Sequence, residues 1–169
     1  MKAHFEMLAA YNAWANTRLF EAAAILPDED YRADRGAFFK SVHGTLNHLL
    51  VADRIWMRRF TGEGEAPDRL DAILFDDLAG LWAARRAEDE RIIGYFARLD
   101  DESIGGRIRY RLISQPADVE QPLAPALMHF FNHQTHHRGQ VHCLLTGLTG
   151  TAPALDLLYF QRQTGVGLS

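Results

Sequence analysis

Four stretches of this chain repeat apolar residues at three- and four-residue steps, a pattern that commits most of its length to amphipathic helices which must bury one face together. In residues 5–26 the repeat runs through Leu8, Tyr11, Ala15, Leu19, Ala22 and Leu26 until Pro27 stops it. A second run opens at Ser41, whose hydroxyl suits a helix N-cap. It carries Val42, Leu46, Leu49, Trp56 and Phe60 and breaks over residues 62–67. The third begins near Asp76 and Asp77, charges that suit a helix start, and holds Leu78, Leu81, Trp82, Ile92, Ile93, Phe96 and Leu99. It is expected to be the longest. The fourth spans residues 126–148, with Pro122 and Pro125 where a first turn tolerates proline and Gly147 and Gly150 at its end.

Residues 103–119 differ in character. Gly105 and Gly106 precede an alternation of Ile108, Tyr110 and Leu112, which reads as a short strand or extended crossover. A shorter apolar piece at 155–161 adds a terminal turn or helix. Four long helices with one longer crossover, between the third and fourth, predict an all-α four-helix bundle in a single domain over residues 1–169.

The chain's 169 residues and 47% hydrophobic content suit one such core. A formal net charge of -4 offers a phosphate backbone or anionic membrane no general attraction, so nucleic acid and membrane are not expected partners. The arginines of two local clusters, Arg54, Arg58 and Arg59 and then Arg85, Arg86 and Arg91, have acids close in sequence and read as solvated helix faces. Cys143 is the only cysteine, which excludes an internal disulfide and suits a reducing compartment. The first residues, with Lys2, His4 and Glu6, lack the apolar centre of a signal peptide, so the expected location is cytoplasmic.

Five of the eight histidines (His129, His133, His136, His137 and His142) fall in the fourth helix. A neutral imidazole offers a lone pair to a transition metal, and two imidazoles four residues apart on a helix can share one ion, as His133 and His137 are spaced. On a helical wheel with His129 at zero, Phe130, Val141, Leu144, Leu145 and Leu148 centre near about 110°. His137 falls at about 80° and His133 at about 40°, the most inward of the five. A third ligand must then come from another helix, with His43 and His48 on the second and His4 on the first as candidates. His48 lies at the edge of its helix's apolar stripe and His43 farther round, which favours His48. Asp53 falls within that stripe and needs a partner, either a ligand histidine to orient or an arginine. Cys143 reads as packed rather than nucleophilic, and Trp14, Trp56 and Trp82 as core.

YNAWAN at 11–16, HGTLNHLLVADRIW at 43–56 and NHQTHHRGQVHCLLTGLTG at 132–150 resemble the DinB family in order and spacing along nearly the whole chain. The resemblance implies a four-helix bundle, a homodimer, and one divalent metal ion, nickel or zinc, held by three histidines. It carries those ligands onto His48, His133 and His137. It implies no DNA synthesis.

Three protein ligands leave coordination positions open, whereas a structural zinc site is closed by four. The expectation is a metal-dependent enzyme transferring a low-molecular-weight thiol cosubstrate to a small-molecule electrophile. A hydrolase, or a non-catalytic metal-binding stress or sensor protein, is the alternative. Gln134, Arg138 and Gln140 lie near the site in sequence and read either as substrate contacts or as ties between helices. Met128 and Phe131, on the outer side of the wheel, are expected at a dimer face.

Overall fold

A computed structural model describes residues 1–113, 115 and 117–168. These form helices α1 (Lys2–Ala23), α2 (Asp28–Arg32), α3 (Val42–Thr61), α4 (Leu78–Arg98), α5 (Asp101–Ile104), α6 (Leu123–Thr149) and α7 (Leu157–Thr164). Strands β1 (Arg107–Arg111) and β2 (Asp118–Pro122) pair antiparallel, Arg107 opposite Pro122 and Arg111 opposite Asp118. The alternation around Ile108 and Tyr110 is therefore a hairpin; positions 114 and 116 of the expected crossover lie outside the described residues. No helix among the described residues is long and apolar enough to cross a membrane.

Local chemistry sets the ends of the long helices. The Ser41 hydroxyl accepts the Gly44 N–H at 3.0 Å and starts α3, and Gly62, at a φ of 75°, ends it. Asp77 caps α4 by accepting the Gly80 N–H at 2.7 Å. The longest helix is α6, at 27 residues, not α4 at 21, because α6 starts immediately after β2 and runs on to Gly150.

The four long helices pack in a closed ring, α1 on α4, α4 on α3, α3 on α6 and α6 on α1. Two apolar clusters fill it. One gathers Phe5, Trp56, Met57, Ile92, Phe96, Leu127 and Phe130; the other gathers Leu19, Phe20, Leu46, Leu49, Leu50, Leu81, Val141 and Leu145. On each helix the residues between the two clusters are polar and buried: Asn12 and Asn16, Asp53, Arg85 and Asp89, Gln134 and Arg138. Arg85 donates to Asp53 at 2.6 Å and pairs with Asp89 at 2.9 Å. Asn16 donates to Asp89 at 3.0 Å, Gln134 donates to Asp53, and Arg138 donates to Asn12. One polar layer thus ties all four helices across the middle of the core.

The order in which each helix meets the clusters gives its direction. Helices α1 and α6 meet the Phe96 cluster first, whereas α3 and α4 meet it last. So α3 and α4 are parallel neighbours, and the chain must travel back along α3 between them. Residues 62–77 do this: the Leu70 carbonyl lies against His48 and the Phe75 carbonyl against His43 and Asn47. Buried Asn47 fixes the return, its Oδ1 accepting from the N–H of Leu74 at 2.8 Å and of Phe75 at 3.1 Å.

Three sequence expectations change here: Arg85, read as part of a solvated face, is fully buried because Asp53 and Asp89 supply its counter-charges inside the core. Phe131 is buried against Phe5 and Phe96, so of the expected dimer face only Met128 is exposed. Cys143 is exposed rather than packed. Phe131 is buried because α6 buries a wider arc, reaching Gln134 and Arg138, than its aliphatic residues mark, whereas the Cys143 expectation rested on residue type and not on its place on the wheel.

Removing one partner of a buried ion pair strands the other charge in a medium of low dielectric, typically at a cost of about 3–5 kcal/mol. Arg85→Ala, which leaves Asp53 and Asp89 without their shared cation, is expected to lower unfolding free energy by that amount in urea titrations. Arg86→Ala, on a partly aromatic surface contact with Trp82, is expected to change it by less than about 1 kcal/mol.

Candidate metal centre

The antiparallel contact between α3 and α6 brings His48, His133 and His137 together, with one ring nitrogen from each lying within 4.8 Å of the others. No other histidine, cysteine or carboxylate among the described residues joins that group. His48 and His137 are buried and His133 is partly exposed.

Hydrogen bonds orient two of the three rings. The Leu70 carbonyl can only accept, so at 2.7 Å it fixes a proton on His48 Nδ1 and leaves Nε2 as a lone pair. Gln140 Oε1 does the same for His137 Nδ1 at 2.8 Å, one turn along α6. His48 Nε2 and His133 Nε2 face each other at 3.3 Å. Two nitrogens on one tetrahedral zinc ion, each about 2.0–2.1 Å from it, would be about 3.3 Å apart, so this pair has the spacing of shared ligands. The donor set and its spacing fit one divalent transition ion.

Burial keeps the imidazoles neutral. It pushes His48 down to about 4, against the opposing pull of the Leu70 carbonyl and with help from the charge on His137. It pushes His133 down to about 3, where the neighbouring histidines add their repulsion, and it lowers His137 against the opposing effect of Gln140.

Phe39 closes one side. Its ring stacks on His48 with centroids 3.7 Å apart and meets His137 edge-on at 5.5 Å. Gly44 permits this placement: a side chain there would collide with the Phe39 carbonyl. On the other side His133 borders an open pocket with Trp56, Arg59, Leu70 and His129.

The remaining sequence candidates sort cleanly. His43 donates its Nε2–H to the Phe75 carbonyl, 3.1 Å away, and packs edge-on to Tyr31, which is a structural role; His4 is exposed at the far end of α1. Asp53 pairs with Arg85 and Gln134 and touches no ligand histidine. Its burial raises the carboxyl, opposed by Arg85. Gln134 and Arg138 are ties between helices, while Gln140 serves His137. Sequence reasoning missed Phe39, Leu70 and Arg59. Leu70 acts through its backbone, which leaves no side-chain signal, and Phe39 lies outside any periodic run.

A ring of long helices with three inward histidines is the pattern of a metal-binding helical protein. The sequence model of the DinB family matches residues 1–166, and the chain belongs to that family. Protein DinB of Bacillus subtilis (strain 168) is 27% identical over 147 residues, covering 82% of this chain and 82% of its own.

In the metal-free protein the lowered pKa values carry a sign. An unfolded histidine near 6.5 binds a proton more readily than His48 or His133 does in place, so acid favours the unfolded chain. Stability is full above about pH 6.5 and falls as pH drops toward 4, with His48 alone accounting for about 3 kcal/mol. Urea midpoints of the metal-free protein between pH 7 and 4 are expected to show this fall, and His48→Gln is expected to remove the His48 share and leave that of His133.

Proposed function

We propose that this DinB-family chain is a metal-dependent enzyme on a four-helix-bundle frame. In this reading His48, His133 and His137 hold one divalent transition-metal ion, nickel or zinc, and the site transfers a low-molecular-weight thiol to a small electrophile. The carrying observation is the convergence of three histidine nitrogens within 4.8 Å with no fourth protein ligand beside them among the described residues. A closed structural zinc site uses four ligands and favours cysteine; three histidines leave room for a reactant.

An ion so held lowers the pKa of a bound thiol or water and supplies a nucleophile near neutral pH. The protein's own share is positional. Leu70 and Gln140 hold the His48 and His137 rings with Nε2 unprotonated, and Phe39 keeps water from one face. His133 stands at the mouth of the pocket through which reactants arrive. The same reading places the protein in the cytosol, where Cys143 would stay reduced.

Elemental mass spectrometry of untagged protein tests the first half. About one transition-metal ion per chain is expected in the wild type and is lost in His48→Ala, His133→Ala and His137→Ala while the helical circular dichroism persists. A screen of thiols against electrophiles on metal-loaded protein tests the second. Turnover that survives loss of all three histidines sinks metal catalysis. Ester cleavage without a thiol moves the assignment to a hydrolase, and metal-dependent stability without turnover moves it to a binding protein or sensor.

A further inference from the structure

We infer that Arg59 is an anion-binding anchor, and that the pocket joining it to the histidine site takes a small organic acid, with the carboxylate on Arg59 and the reacting end at His133. This rests on the metal-site reading and adds a substrate class to it.

The sequence places Arg59 on a solvated helix face, but the fold does not. The guanidinium packs against two aromatic rings that themselves touch edge to face, 4.6 Å from the centroid of Trp56 and 4.5 Å from that of Tyr110, and is half-buried. Burial there lowers its pKa, since no carboxylate offsets the desolvation. Its hydrogen bond to protein goes to the Arg111 carbonyl at 3.3 Å, a weak neutral contact that leaves most of its five donors unused. Among the described residues no acid lies within salt-bridge range of Arg59, whereas the adjacent Arg107, Arg109 and Arg111 of the hairpin pair with Glu120 or Asp118. An arginine braced against two aromatic rings, partly desolvated and without a carboxylate partner among the described residues keeps donors free for an incoming carboxylate, which a guanidinium can bind bidentately.

The position links it to the histidines. Arg59 follows His48 by eleven residues, close to three full turns, so both project from the same side of α3. The guanidinium reaches back over Trp56, which stands about 12 Å along the helix from His48. Between them lies a pocket of about 240 Å³ lined by Ile55, Trp56, Arg59, Leu112, His129 and His133. Trp56 meets His129 at a tilt, and His129 meets His133 likewise, with centroids 5.2 and 5.9 Å apart. The pocket is therefore apolar in the middle, cationic at one end and histidine-lined at the other. That order matches a molecule with an apolar body, one anionic end and one reactive end.

Calorimetry with 6-mercaptohexanoate and its methyl ester on zinc-loaded protein tests this. The wild type is expected to bind the acid about tenfold more tightly than the ester. Arg59→Gln is expected to bind both equally while taking up the same amount of zinc, and Arg59→Lys to keep part of the preference. Unfolding midpoints for both variants confirm that the fold survives. Equal binding of acid and ester by zinc-loaded wild type overturns the inference while leaving the metal site standing, as does a preference that persists in Arg59→Gln. If the wild type takes up no zinc, the metal reading fails; hexanoate and methyl hexanoate on the metal-free protein then decide the role of Arg59, by a preference that is present and lost in Arg59→Gln or absent from the start.

Discussion

The contact between Asp53 and its partners, Arg85 on one side and Gln134 on the other, governs where everything else can sit. An apolar helix interface tolerates small slips along its axis, because one aliphatic side chain resembles another. A buried carboxylate does not, because it must meet its donors or lose several kcal/mol. Asp53 is five residues beyond His48 on α3, and Gln134 lies between His133 and His137 on α6. The hydrogen bond joining Gln134 to Asp53 therefore sets the register of the two helices that carry the histidines. A shift of one turn would leave Asp53 without Gln134 and would pull the three rings apart. The polar layer is thus a ruler for the site, although it contributes no atom to it.

Direction matters as much as register. Because α3 and α4 run parallel, the connecting chain has to retrace α3, and this return brings a backbone carbonyl to His48. Asn47, next to His48, pins the same return through Leu74 and Phe75. An up-and-down arrangement with a short turn between α3 and α4 would leave His48 Nδ1 to water and its ring free to rotate. The unusual connectivity and the preorganised imidazole are two results of one topological choice.

The sequence made the helices legible because their signals are local: the Ser41 cap, the Gly62 and Gly150 stops, and the three-and-four spacing of apolar residues all act within a few positions. The inward direction of His133 and His137 followed from the same periodicity. The third histidine was less legible, since His43 and His48 share one helix and differ only in which neighbour each faces; the wheel leaned toward His48 and the family resemblance carried it. Asp53 was legible as an acid inside its apolar stripe in need of a partner, which is Arg85; the burial of polar residues on α6 was not. Gln134 and Arg138 are as buried as leucines, yet a hydrophobicity count places such residues outside. That is why α6 seemed to have a narrower buried face, and why Phe131 seemed to point outward. Arg59 failed for the complementary reason: its neighbours in sequence suggested a charged surface, while its partners, Trp56 apart, come from a hairpin fifty residues on.

Proton positions give the site a definite chemistry before any ion is considered. With the Leu70 carbonyl holding a proton on His48 Nδ1, the facing contact between His48 Nε2 and His133 Nε2 can be a hydrogen bond only if His133 is the donor. Binding one ion to both nitrogens then requires His133 to give up that proton or move it to Nδ1, whereas His48 and His137 already present lone pairs. His133 is also the ring that borders the open pocket, where a proton can leave to solvent or reactant. The three histidines are therefore not equivalent. Two are fixed by the protein's own acceptors, while the third is the ring at which an ion held by this set would meet both a proton and the pocket.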